Sequence, residues 1–239
     1  MRFPTTKWNI VDSLKRGTSE ERDAAMAEVM GVYWKPLYAF LRCDYTKDTA
    51  EDFVQSFFQD CLERDILQHA DASKGRFRSF LLSCLKHFVA NQIRDEHAKK
   101  RSPVGGLLSL EELIRVAGPA SEPQVGESPE AAFHRTWLEA LLHQILQKYA
   151  LQCRELHMGE RYDLFRLRVV EPALDNSPVP SFAELGSRFR ISENAANKAV
   201  LKAKSDLCRL AEAEVRQYAI SEQEVADDVG AVLNMLAVR

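Results

Sequence analysis

Between Ser102 and Glu130 the chain carries four of its nine prolines (Pro103, Pro119, Pro123, Pro129) and four of its ten glycines (Gly105, Gly106, Gly118, Gly126). Proline removes a backbone donor and glycine loosens the backbone, so no long helix can run through such a stretch. It lies near the middle of a chain of 239 residues. Each flank is long enough to bury a core of its own. The chain therefore reads as an N-terminal domain over 1–101, a flexible linker over 102–130 and a C-terminal domain over 131–216. A tail over 217–239 follows. Within the linker, Leu107, Leu108, Leu110, Leu113 and Ile114 form an apolar island expected to make a turn or two of helix. A second break from Pro172 to Pro180 reads as a surface loop.

Both flanks repeat apolar residues every three or four positions, which is the helical period. Val29, Tyr33, Leu37, Phe40 and Leu41 mark one helix, which Pro36 is expected to kink. A second is expected to be capped by Asp48 or Thr49, with Glu51 and Asp52 favouring the positive end of its dipole. Its stripe is Phe53, Val54, Phe57, Phe58, Cys61 and Leu62. No Gly or Pro occurs from Arg76 to Ser102, so a third, long helix is expected from about Arg76 to Lys99. Its stripe is Phe77, Phe80, Leu81, Cys84, Leu85 and Phe88, and helical spacing makes these aromatics core before base-stacking groups. Further helices are expected over 133–149, 159–170 and 181–220. Val225, Val229, Val232 and Leu236 share one face of a last, amphipathic segment. Period-two alternation is scarce, so the fold class is all-α in two helical domains.

Several function classes fall away. No run of about 18 uncharged apolar residues exists, so no membrane span is expected. The segment Met1 to Lys7 lacks the apolar core of a signal peptide. The five cysteines are scattered and odd in number. They read as small buried hydrophobes in a reducing cytoplasm, not as a disulfide framework or a zinc site. The six histidines form no H-E-x-x-H or related ligand set. With no Gly-rich phosphate loop and no nucleophile set beside a base, neither catalysis nor a metal or other cofactor is expected.

The formal net charge is −3, but it is unevenly spread. Residues 74–101 carry eight basic side chains against Asp95 and Glu96, a net of +6, and residues 181–216 a net of +2. These islands sit among segments of −4 (1–73), −4 (102–180) and −3 (217–239). Two separated basic islands fit two separate contacts with a polyanion. The second island coincides with a helix-turn-helix pattern over 181–204. Ser181 can cap a first helix with Phe182, Leu185 and Phe189 as its apolar face, and Ala183 and Gly186 are small enough for a tight crossing. Arg190 occupies the turn, where a positive φ would favour Gly or Asn. Ile191 fills the gap beneath it, and Ser192 caps a second helix. Ala195, Ala196, Ala199 and Val200 are expected to face inward. Glu193, Asn194, Asn197, Lys198 and Lys202 are expected to face outward, where such a helix meets base edges and phosphates.

Taken in order, these residues resemble bacterial RNA polymerase sigma factors of the extracytoplasmic-function type, closest to the group abundant in planctomycetes and their relatives. The resemblance rests first on Trp34-Lys35-Pro36-Leu37-Tyr38-Ala39-Phe40-Leu41-Arg42 and Ala50-Glu51-Asp52-Phe53-Val54-Gln55-Ser56-Phe57-Phe58. It continues through Lys74-Gly75-Arg76-Phe77-Arg78-Ser79-Phe80-Leu81-Leu82 and Leu85-Lys86-His87-Phe88-Val89-Ala90-Asn91. Leu108-Ser109-Leu110, Ser128-Pro129-Glu130 and the helix-turn-helix complete it, so it spans nearly the whole chain.

The resemblance implies a sigma-2-like domain over 1–101 whose second helix binds core RNA polymerase, through Asp52, Gln55 and Gln59. The family often has Glu or Asp directly after this glutamine, where Ser56 stands here. It implies that the third helix and the loop 68–75 melt and hold the minus-ten element of promoter DNA. Arg76, Arg78, Lys86, His87, Asn91 and Arg94 are the contacts, with cations holding the backbone of unpaired strands. A sigma-4-like domain over 131–216 then reads the minus-thirty-five element with Ser192, Glu193, Asn194, Asn197, Lys198 and Lys202. The linker passes near the polymerase cleft, where Glu111, Glu112, Glu122 and Glu127 keep it off DNA.

Two other readings stand beside this one. A helix-turn-helix repressor needs no basic third helix far from its DNA-reading pair. A polymerase-binding adaptor without initiation activity is compatible with the acidic tail and with Arg190. For the tail helix, docking on its own domain, an anti-sigma partner and dimerisation are all open.

Overall fold

The computed structural model describes residues 8–96 and 122–237. Among them every regular element is helical, so the chain is all-α. It divides into two compact units, 1–140 and 141–239.

In the first unit α1 (Trp8–Arg16) precedes α2 (Ser19–Arg42), α3 (Lys47–Glu63) and α4 (Phe77–Glu96). Thr18 and Glu21 form a reciprocal capping box that starts α2. The helix runs on through Pro36, which is buried. The cap of α3 is Thr46, accepting from the Thr49 amide at 3.4 Å, not the expected Asp48 or Thr49. Thr49 instead lies in the first turn, its hydroxyl 2.9 Å from that of Thr46.

Trp34, Leu37, Leu41, Phe57, Phe58, Leu81 and Leu85 fill the centre, almost wholly removed from water. Phe77 packs on Tyr33 with ring centroids 5.6 Å apart, and Phe88 on Phe57 at 5.7 Å. The aromatic stripe of α4 is thus core, as its spacing predicts, with Phe80 only half-buried. The loop before α4 is made of two 3-10 turns, Ile66–His69 and Ala72–Lys74. It ends at Gly75, whose φ of +125° is closed to residues with a Cβ.

Helix α5 (Pro129–Glu155) starts where the sequence reading still had linker. The Ser128 hydroxyl accepts from the Ala131 amide at 3.2 Å, and Pro129 takes the first helical position, where its missing N–H costs nothing. Ser-Pro-Glu is therefore a helix start, not the end of a linker. The two compact units part inside this helix, between Ala140 and Leu141, and not in the Pro/Gly stretch. Residues 122–128 are non-helical and tied to the first unit. Glu122 accepts from the Tyr38 hydroxyl at 3.0 Å and pairs with Arg42 at 2.9 Å. Arg135 pairs with Glu127 at 2.9 Å and Glu139 at 2.7 Å. The apolar island Leu107–Ile114, Glu111, Glu112, the end of the long basic helix and most of the linker lie outside the described residues.

The second unit holds the rest of α5, then α6 (Gly159–Phe165), a π turn (Arg166–Val170) and α7 (Glu171–Asp175). The expected loop from Pro172 is helical as far as Asp175, with Pro172 buried. A proline ring would clash with the carbonyl four residues back, here Arg168, and the wider π turn accommodates it. Helices α8 (Phe182–Phe189), α9 (Glu193–Val215) and α10 (Glu222–Asn234) complete the chain. Ser221 caps α10, whose Val225, Val229 and Val232 are buried, as is Leu236 just beyond it, and α10 packs on α9. The apolar face of the tail is therefore docked. Arg216 and Glu222 tie the two helices, with Nη2 to Oε2 at 2.8 Å.

All five cysteines are free thiols. Cys61 and Cys153 are buried as expected, but Cys43, Cys84 and Cys208 are only half-buried. No described helix is long and apolar enough to cross a membrane.

Candidate nucleic-acid and partner interfaces

The helix-turn-helix pattern of the sequence corresponds to α8, a sharp turn and α9. Ser181 and Glu184 form a capping box at the start of α8, with the Glu184 amide 3.2 Å from the Ser181 hydroxyl. Hydrogen bonds from the Ser181 amide and hydroxyl hold the Glu184 carboxyl below its ordinary range. At the turn Arg190 takes φ = 57°, the left-handed conformation. The Ile191 amide donates to the Gly186 carbonyl at 2.9 Å and the Arg190 amide to Ser187 at 3.4 Å. That pairing is a Schellman motif, and it satisfies carbonyls that the end of α8 leaves open. A Cβ on Gly186 would stand 2.8 Å from the Ile191 carbonyl oxygen and 3.2 Å from the Glu193 amide nitrogen. Glycine is thus required where α8 passes the entry of α9. Ser192 then caps α9 at the Ala195 amide, 3.2 Å away.

Of the residues expected to meet the minus-thirty-five element, Ser192, Glu193, Asn194, Lys198 and Lys202 are exposed and Asn197 is half-buried. Ala196 and Val200 are buried, but Ala195 and Ala183 are exposed, against expectation. In the first turn of α9 only part of the circumference is covered by α8, so a small residue there does not imply a contact. Lys202 pairs with Asp206 at 3.1 Å. Asp206 also meets Arg161 at 3.3 Å and Arg209. Burial pushes the Asp206 carboxyl up, but hydrogen bonds from Lys202 and Arg209 outweigh it and hold the group ionised below the usual range. This four-member ionic cluster was not foreseen. The helical spacings of Lys202, Asp206 and Arg209, four and three residues, are its signal in the sequence, and Arg161 has none.

The outer face of α4 carries Lys86, His87, Asn91 and Arg94, all exposed. Arg94 donates to the Asn91 side chain at 2.9 Å. Lys86 pairs with Glu130 at 2.6 Å and stands 5.5 Å from the Phe40 ring centre. Arg76 is half-buried at the helix start. Arg78 departs from the expectation. It is 6 % exposed and its guanidinium lies 4.1 Å from the ring centre of Trp137 on α5. It sits on the buried side of α4, one step along from Phe77, and takes the flat face of an indole as its partner. Arg78 is therefore a core cation of the first unit and not a DNA contact.

On α3, Asp52 and Gln55 are exposed and Gln59 is half-buried. Spacings of three and four bring them to one face. Gln59 is held by Glu63 at 2.9 Å. No group of His, Cys, Asp or Glu among the described residues is arranged to hold a metal ion.

Comparison with protein-family models, curated proteins and solved structures gave no match.

Proposed function

We propose that this chain is a sigma-type initiation factor: it binds core RNA polymerase and directs it to promoter DNA, without catalytic chemistry of its own and in the cytoplasm. The observation that carries the reading is the α8–α9 pair. A tight Schellman turn crosses the two helices at Gly186 and leaves Glu193, Asn194, Lys198 and Lys202 exposed at the start of the second. A second helix exposed at its start in this way can offer side chains to a major groove. The ordered motifs of the sequence support the remainder. Asp52, Gln55 and Gln59 form a polar strip for polymerase, and Lys86, His87, Asn91 and Arg94, with Arg76 at the helix start, form a second strip for the minus-ten element. Arg78 is left out of that set. Glu122 and Glu127 are likewise left out of any role in the polymerase cleft, because both are engaged in ion pairs within the first unit.

Run-off transcription with core polymerase tests the proposal, on promoter fragments selected from DNA bound in cells. Initiation above that of core alone is expected, and initiation no greater than core alone overturns it. Core binding without initiation favours the adaptor reading, because the basic side chains Arg78, Lys86 and Lys202 already have partners within the fold. Asp52→Arg combined with Gln55→Ala is expected to abolish co-purification with core while the helical circular dichroism is kept. Both side chains are exposed, so the fold does not depend on them.

A further inference from the structure

The second unit holds an open cavity of about 460 Å³, lined by residues from α5 and α9 and by Leu156, Met158 and Arg161. Its volume is in the range of small-molecule sites. The lining is of two kinds. Leu156, Met158, Leu210 and Ala213 make an apolar part, and Leu156 is 64 % exposed on the rim. Arg161, Lys202 and Arg209 gather round one carboxylate, Asp206. Three cations against one anion leave the wall positive by two charges. A third feature is polar and buried. Tyr149, only 3 % exposed, lines the cavity beside Cys153, and that thiol, a weak acceptor, is the partner of its hydroxyl. Sulfur accepts poorly, so a ligand oxygen would be a better acceptor for that hydroxyl.

We propose that this cavity binds a small organic acid with an apolar body. The body would lie on Leu156, Met158 and Leu210, and the carboxylate would meet Arg161, Lys202 and Arg209. An aryl carboxylic acid fits this combination better than a sugar or a nucleotide, because the wall offers one apolar side and one cationic side. A neutral apolar molecule would make no use of the cationic side, and an inorganic anion would leave the apolar side wet. The inference goes beyond the transcriptional reading and does not depend on it.

The test uses the full chain, without DNA or polymerase. 1-Naphthoate and its uncharged amide, 1-naphthamide, are titrated by calorimetry and by two-dimensional amide NMR up to about 1 mM, the range of a weak single site. Naphthoate is expected to saturate, shifting the amides of Tyr149 to Met158 and of Lys202 to Ala213, and to bind about tenfold tighter than the amide. Arg209→Gln is expected to weaken naphthoate about fivefold and leave the amide unchanged. Leu156→Glu, at an exposed position, is expected to weaken naphthoate about tenfold by placing a like charge on the rim. Each variant is checked by its melting temperature, and two independent variants keep the test sound if one folds poorly. No saturation over that range overturns the proposal. So does equal affinity for acid and amide, or shifts confined to another surface.

Discussion

Arg190 holds a left-handed backbone at the one place where the chain must reverse between α8 and α9, and its side chain is exposed. A Cβ in that conformation costs about 1–2 kcal/mol. Arg190→Gly is therefore expected to stabilise the second unit by about 0.5–1 kcal/mol, the unfolded-state entropy of glycine taking back part of the gain. Urea unfolding followed by circular dichroism would register it as a higher midpoint at unchanged slope. Arg78 is the opposite case, a charged side chain whose place is set by its partner. Arg78→Ala is expected to cost about 2 kcal/mol, since the stack on Trp137 is largely desolvated. Arg78→Lys should recover little of this, because an ammonium cannot lie flat on an indole. The same urea titration, with Trp137 fluorescence as a second probe, checks both. Full stability in Arg78→Ala, with impaired promoter opening, would return the residue to the DNA-binding set.

Helix α9 is where packing and the proposed DNA contact meet. Lys198 and Lys202 are both exposed, yet only Lys202 is held by a carboxylate one turn on. A cation already neutralised by a neighbour releases less counterion when it meets a phosphate. Lys198→Ala is expected to flatten the salt dependence of duplex binding by about one unit of slope, and Lys202→Ala by clearly less. Fluorescence anisotropy across a series of salt concentrations reads both slopes, and equal slopes would show that the pair with Asp206 opens on binding. The capping at the start of α9 was legible from Ser192 alone, since a short hydroxyl before a helical run has few other uses there. The cap of α3 was misjudged because Thr46, Asp48 and Thr49 are all competent caps. The choice among them depends on where the preceding turn ends. The start of α5 was set too late for a similar reason. Pro129 counted as a linker residue, whereas proline at a first helical position starts a helix.

Across each whole unit, ion pairs join segments far apart in sequence, and these respond to pH. Hydrogen bonds from Arg135 hold the Glu127 carboxyl below its ordinary range in the folded chain. A lowered folded value means that the folded state keeps the charge longer than the unfolded state. The contribution is present above the unfolded value and is lost as pH falls through the folded one. The melting temperature of the wild type is therefore expected to exceed that of Glu127→Gln at pH 7. The gap should begin to narrow near pH 4, where the unfolded chain takes up its proton, and close only below the lowered folded value. Scanning calorimetry from pH 7 to pH 3 checks this, and a constant gap would mean that Glu127 acts through packing alone. Helical class, the buried stripes of α3 and α4, the serine caps of α8 and α9 and the apolar face of the tail were all determined by the sequence. Each depends on period and local hydrogen bonding, which a few consecutive residues carry by themselves. Only the tertiary structure decided that Arg78 turns inward to Trp137, that Glu122 anchors to Tyr38 and Arg42, and that Arg161 reaches Asp206 beside a cavity. These depend on which side chain arrives opposite another from a distant part of the chain, and the burial that follows changes what a charge costs and where it can go.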